Sequence, residues 1–325
     1  MKKSLVALAV LAASGASIAQ VSITGNLTAG FQSTTDASNN TASGLGVDNA
    51  EIVFSATEDL GAGLKASAKL GLVDASRGNI RNNSNVNTGF GPGDSELAIS
   101  GGFGKLALST SRGVDYLSGG VAGVAGIKMD ERVFGPRTST DSVSYSVPVG
   151  PVSVGLSYSE PNDKLGLGLG TSGLPVTSTA SRQVALAVQY ADGPLVADAA
   201  YLSDENVGDK GHYRASASYD FGVVKVAGGL ERAALDAPSV KKTTTDMLLG
   251  VSVPMGALTL GANWAQRELS DQVTSVDNGS YNGYGLKASY ALSKRTALSA
   301  DYANWSGTVN GNKQSQYNVL LSHSF

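Results

Sequence analysis

The chain has 325 residues, 42% hydrophobic and 16% charged, with 41 glycines and no cysteine. A soluble domain carries about 25% charged residues, so this chain is charge-poor, yet it holds no apolar run of the roughly 18 residues that a transmembrane helix requires. Without cysteine there is no disulfide framework and no thiolate chemistry, and a net charge of −3 argues against a nucleic-acid partner.

At the N-terminus Lys2 and Lys3 precede a short apolar run, Leu5 to Ala13, and Ser17-Ile18-Ala19 places small residues where a signal peptidase reads. A signal peptide is expected over 1–19, cleaved after Ala19, with 20–325 forming one exported unit. From residue 21 onward no helix is expected, because apolar residues recur at every second position, the side-chain period of a strand. Leu64, Ala66, Ala68, Leu70 and Leu72 face one way, against Lys65, Ser67, Lys69 and Gly71. Tyr213, Ala215, Ala217 and Tyr219 oppose His212, Arg214, Ser216 and Ser218 in the same manner.

The alternation predicts strands over 21–31, 47–57, 62–73, 94–100, 103–110, 139–147, 151–159, 181–191, 193–202, 211–221, 222–231, 243–253, 256–267, 281–291, 295–305 and 314–325. That is an even number of segments near the 9–11 residues that a tilted strand needs to cross a bilayer. Connections alternate between short turns, such as Gly101-Gly102 and Asp192-Gly193-Pro194, and long polar loops at 32–46, 74–93, 111–138, 160–180, 203–210, 232–242, 268–280 and 306–313. Short turns on one rim and long loops on the other mark outer-membrane barrels. The short turns are expected on the periplasmic side, where a signal peptide leaves the N-terminus.

Ten of the twelve tyrosines fall on the apolar parity near a strand end. Tyr145, Tyr190, Tyr219, Phe221, Tyr290 and Phe325 belong to one end, and Phe31, Tyr158, Tyr201, Tyr213, Trp264, Tyr284, Tyr302 and Tyr317 to the other. Two aromatic bands on one parity suit rings held where lipid meets headgroup. A soluble β-sandwich or propeller also alternates, but the uniform strand length, the signal peptide and the terminal Phe325 argue for a membrane barrel. The expected fold is all-β, a 16-stranded antiparallel transmembrane barrel closed by pairing the last strand with the first.

Short islands along the whole chain carry a family resemblance. They are Val21 to Gly30, Glu58-Asp59-Leu60-Gly61-Ala62-Gly63-Leu64-Lys65-Ala66, Phe103 to Leu108, Arg137 with Asp141 to Tyr145, and Tyr317 through the terminal Phe325. With them the chain resembles the general porins of β-proteobacteria, Gram-negative trimeric outer-membrane proteins. The resemblance implies a homotrimer among outer-membrane lipid and lipopolysaccharide, forming a water-filled channel for ions and small hydrophilic solutes. It also implies that the loop Ser111 to Thr138 folds inward to narrow the channel. Two positions depart from the family: Ser109-Thr110 stand where Gly-Arg is common, and Ser322 where an arginine precedes the last histidine. The family's ion preference therefore does not transfer directly.

The candidate constriction residues follow. Asp115, Asp130 and Glu131 would place negative charge on the loop, beside Arg112, Arg132 and Arg137, while Lys65, Lys69, Lys105 and Arg214 would line the wall. Opposed charges across a narrow passage align polar solutes and exclude apolar ones. The same charges could instead be paired with Glu51, Glu96, Asp198 and Asp246. Neutralising Asp130 and Glu131 together should shift selectivity toward anions.

No catalytic residue, cofactor or metal site is expected. Gly168 to Gly173 spells a dinucleotide-type glycine pattern but precedes no helix. His212 and His323 lie on opposite parities with no cysteine to complete a zinc site, and calcium at Asp204 and Glu205 would be unspecific. A barrel hydrolase would need His212 with Ser203 or Ser216, for which no orienting group is indicated. A substrate-specific channel is the remaining alternative.

Overall fold

A computed structural model of the chain describes residues 20–74, 90–112, 117, 120–127, 129–134, 139–161, 182–205, 209–237, 240–271, 278–306 and 313–325. The expected signal peptide lies outside these residues, as does the glycine pattern at 168–173. The first eight strands are β1 (Gln20–Thr35), β2 (Thr41–Gly61), β3 (Leu64–Asp74), β4 (Phe90–Gly101), β5 (Gly104–Arg112), β6 (Ser139–Val149), β7 (Val152–Pro161) and β8 (Gln183–Asp192). The rest are β9 (Leu195–Asp204), β10 (Asp209–Asp220), β11 (Lys225–Ala237), β12 (Val240–Met255), β13 (Leu258–Asp271), β14 (Gly279–Ala291), β15 (Thr296–Ser306) and β16 (Lys313–Ser324).

Each strand pairs antiparallel with its sequence neighbours, and β1 pairs with β16, so the sheet closes. Closure gives every strand two partners and leaves no free edge, which is what allows a sheet to sit in lipid. At the seam Phe325 and Gly25 exchange two backbone hydrogen bonds of 3.0 Å. A Cβ on Gly25 would lie 2.3 Å from the Phe325 ring, so only glycine leaves room for the terminal aromatic.

The outer parity is apolar. Leu70, Leu97, Leu108, Leu156, Leu186, Leu249, Leu286 and Leu321 are all about half exposed or more. A leucine kept in water forgoes about 1.5–3 kcal/mol. Eight half-exposed ones alone forgo an amount on the order of the ~5–15 kcal/mol net stability of a domain. This surface therefore belongs against lipid, and the sandwich alternative is excluded by both closure and exposure. The aromatic bands form on the same face, with ring pairs Phe31–Tyr317, Tyr201–Tyr213, Tyr219–Phe221 and Tyr284–Tyr302 at centroid distances of 4.5–6.2 Å.

Two loops expected from the sequence are largely strand. β1 and β2 stay paired up to Thr35↔Thr41, and β11 and β12 up to Ala237↔Val240. Threonine and serine tips such as Thr34-Thr35 and Thr41-Ala42-Ser43 show no apolar face, because beyond the membrane both faces meet water. Backbone pairing and β-branched side chains still hold them extended. The β1–β2 tip is closed by Asp36, whose carboxylate accepts the Ser38 and Asn40 backbone N–H groups at 2.8 Å each and the Asn40 side-chain amide at 3.0 Å. These bonds, the Asn40 side chain foremost, hold the Asp36 carboxyl below its ordinary pKa.

The expectation of no helix needs one correction: a single-turn helix, α1 (Met129–Val133), lies in the β5–β6 connection. Its apolar face consists of only Met129 and Val133, both fully buried. Two residues at i and i+4 are too few to register as a helical period.

Candidate functional site

In a strand, residues of one parity share a face, so the register fixes what lines the lumen. Across β3, β4 and β5 the rows are Lys65↔Ser100↔Lys105 and Lys69↔Glu96↔Ser109. Across β5 to β8 the lining is hydroxylic and small, as in Ser109↔Ser142↔Ser159 and Ala107↔Ser144↔Ser157↔Ala185. Across β10 to β14 one row reads Arg214↔Glu231↔Asp246↔Arg267↔Tyr281.

The β5–β6 connection folds into the barrel and lies on its wall. Leu117, Ala122, Ile127, Met129, Val133 and Phe134 are buried in one cluster with the lumen residues Leu248, Ala265, Ala303 and Trp305, and Tyr281 packs at its edge. The wall beneath is hollowed by glycine. A Cβ on Gly261 would stand 2.8 Å from the Ala125 carbonyl oxygen, and one on Gly283 2.7 Å from the Met129 methyl. Gly229, Gly250 and Gly285 meet Leu117, Val124 and Ile127 as closely. The wall supplies the groove in which the loop lies.

Polar groups of the wall fasten the loop backbone. Asn263 Nδ2 donates to the Ile127 carbonyl at 2.7 Å, and Lys287 Nζ donates to the Gly126 carbonyl at 3.2 Å. Arg267 grips Asp246 with two donors, one at 2.6 Å, and donates a third hydrogen bond to the Phe134 carbonyl. Its guanidinium also lies 5.1 Å from the Phe134 ring centroid. Planar bidentate pairing and stacking at once is what arginine does and lysine does not.

The structure divides the candidate residues into three groups. Lys65, Lys69 and Lys105 share the lumen face of the β3–β5 wall, and Lys105 Nζ pairs with Glu96 at 2.7 Å. Arg214 is on β10, across the barrel, beside Glu231. Arg132 is on α1, with its guanidinium 5.2 Å from the Trp305 ring centroid and 3.5 Å from the Gln316 side-chain oxygen. Asp130 and Glu131 share that helix and Arg112 ends β5, but their side chains lie outside the described residues, as do Asp115 and Arg137 entirely.

In a closed ring of sixteen, strands eight apart face each other. The loop covers β9 to β15, centred on β12, so the wall facing it is centred on β4. That facing wall carries Lys65, Lys69 and Lys105 on its lumen parity, Lys65 and Lys105 next to the short turns that open β3 and β5 and Lys69 four residues further in.

The comparisons fit this geometry. The model of the Gram-negative porin family matches residues 4–311. Outer membrane porin protein 32 of Delftia acidovorans is 32% identical over 337 residues, covering 93% of this chain and 89% of the relative. The chain belongs to the Gram-negative porin family. The solved anion-selective porin from Comamonas acidovorans superposes with a TM-score of 0.72 at 22% identity, covering 95% of this chain and all of that one. The trimer form of OmpT from Vibrio cholerae gives 0.64 at 11%, covering 94% of this chain and 99% of that one. This porin is thus an outer-membrane diffusion channel.

Several of the porin's functional residues escape a reading by alternation. Trp305 and Tyr281 are large aromatics on the polar parity, where they serve as the loop's seat. The glycines at 229, 250, 261, 283 and 285 all fall on the lumen parity of consecutive strands, a signal visible only once the strands are set in register. The serines considered beside His212 are engaged elsewhere: Ser216 donates to Asp198 at 2.8 Å and Ser203 to Asp209 at 3.3 Å. The His212 ring meets Glu231 at 2.9 Å. Asp204 accepts from Gln183 at 2.9 Å, and Glu205 pairs with Arg182 at 3.6 Å.

Proposed function

We propose that the passage between the infolded loop and the β3–β5 wall is the selecting constriction of a homotrimeric, anion-preferring general porin. One observation carries the reading. Around the loop Arg267 is bound to Asp246 and Phe134, Lys287 to Gly126 and Arg132 to Trp305 and Gln316, whereas Lys65 and Lys69 on the facing wall have no hydrogen-bond or ion-pair partner among the described residues. Uncommitted lumen charge governs ion preference most directly, because a paired charge has a much weaker field. Asp115, Asp130 and Glu131, with Arg112 and Arg137, would supply the loop's charge, tempering the anion preference and orienting polar solutes. Neutralising Asp130 and Glu131 together then strengthens the preference.

Passage involves no covalent step. The name of the Comamonas porin supports the anion preference, and the trimer form of the Vibrio porin supports the assembly. Lipid and lipopolysaccharide would meet the aromatic bands, and residues 1–19 would direct export and be removed. Reconstitution in a planar bilayer under a potassium chloride gradient tests the reading. Three equal conductance steps per insertion and a zero-current potential of anion-selective sign are expected. A cation-selective potential, left unmoved by Lys69→Glu, contradicts it.

A further inference from the structure

The three lumen lysines of the β3–β5 wall lie closer to one another than diffuse pore charges need to. Lys65 and Lys105 flank Ser100 on adjacent strands, about 10 Å apart at the backbone given a strand spacing of about 4.8 Å. Lys69 lies four residues along β3, directly opposite Glu96. Lys105 leans toward Glu96, its ammonium 2.7 Å from that carboxylate, which brings a third cation to the level of Lys69. The floor between them is Ser67, Ala98 and Ser100, short side chains on the same parity.

We propose that Lys65, Lys69 and Lys105, with the Ser67 and Ser100 hydroxyls, form a subsite in the channel for a small oxyanion such as inorganic phosphate. The proposal rests on the channel reading above but goes beyond a selective field to a saturable resting place. Flexible ammonium groups on long stems donate in any direction, and serine hydroxyls donate to the remaining oxygens of a tetrahedral ion. Two carboxylates share this stretch of the wall: Glu96 on β4, opposite Lys69, and Asp59 on β2, opposite Lys65, whose oxygen accepts the Gly61 backbone N–H at 2.9 Å. Each carboxylate is already held, Glu96 by Lys105 and Asp59 by the Gly61 N–H, so the Lys65 and Lys69 ammonium groups are the donors left for the guest, and the three lysines exceed the two carboxylates by one charge. The site is open to the lumen, so the ion enters and leaves without any movement of the wall, as a conducting pore requires.

The test uses the full protein in planar bilayers carrying chloride, with inorganic phosphate added on one side. Phosphate should lower the chloride current saturably. Its apparent affinity should fall about fivefold or more in Lys69→Gln, the effect of one unit charge at contact distance in water, and again in Lys65→Gln. Lys105→Gln, which unpairs Glu96, should weaken phosphate at least as much. Lys225→Gln, at a lumen lysine on the far wall, should leave the affinity unchanged. The proposal is overturned if phosphate changes the current without saturation, or if the Lys65→Gln/Lys69→Gln double variant keeps the wild-type affinity. Calorimetric titration of phosphate into the detergent-solubilised, folded protein reads the subsite apart from conduction. Binding without conductance would count against the channel reading alone, and conductance without binding against the subsite alone.

Discussion

The two walls of the lumen obey the same alternation and use it oppositely. Under the loop the lumen parity is rich in glycine, alanine and buried aromatics, and the wall cations that reach the loop, Arg267 and Lys287, are spent on its carbonyl oxygens and on Asp246. On the facing β3–β5 wall the lumen parity carries exposed lysines between serines. One wall is a seat that orders a loop; the other is a surface left for solutes. Charge on a pore wall is informative about transport only after its partners have been counted.

If that division holds, substitutions on the seat should disturb stability and channel shape, and substitutions on the facing wall should disturb selectivity alone. The largest effect is expected from Arg267→Met. It strands Asp246, whose side chain is 3% exposed, without its partner. Breaking a buried pair costs about 3–5 kcal/mol, so the variant should lose a large part of its resistance to urea in detergent. Its single-channel current should become noisy as the end of the loop is freed. Next comes Gly261→Leu, which drives a side chain against the Ala125 backbone. Overpacking of this kind costs about 1–3 kcal/mol, and the loop should be displaced, raising the exclusion limit for neutral sugars in liposome swelling.

On the facing wall, Lys69→Glu should leave unfolding unchanged and move the zero-current potential toward cations. A loss of stability there comparable to that of Arg267→Met would erase the distinction between the walls. The smallest effect is expected far from both, at the β1–β2 tip. Asp36 has a folded pKa below its unfolded value, so its contribution is fully present above the unfolded pKa and is lost as pH falls through the depressed one. Amide protection factors at Ser38 and Asn40 should therefore hold down to mildly acid pH and drop only below the usual carboxylate range.

Much of the architecture is legible in the chain because lipid and water impose opposite demands on alternate residues. Val184, Leu186 and Val188 against Gln183, Ala185 and Gln189 suffice to fix the face of β8. The reading fails where water bathes both faces, as at Thr34 and Thr41, and where the lumen is dry, as at Trp305 and Leu248 beneath the loop. In the first case polar residues imitate a loop; in the second apolar residues break the alternation. The Lys65, Lys69 and Lys105 parity is legible, whereas the commitment of Arg132 to Trp305, more than a hundred residues away in the chain, arises only in the closed barrel.

The chain has no cysteine, so a single Lys69→Cys variant gives one addressable thiol in the whole protein. Treating its reconstituted channels with a negatively charged thiosulfonate reagent probes the facing wall in place. A stepwise fall in conductance and a shift of the zero-current potential toward cations are expected. Complete labelling, verified by mass, with current and potential both unchanged would place Lys69 away from the ion path and contradict it.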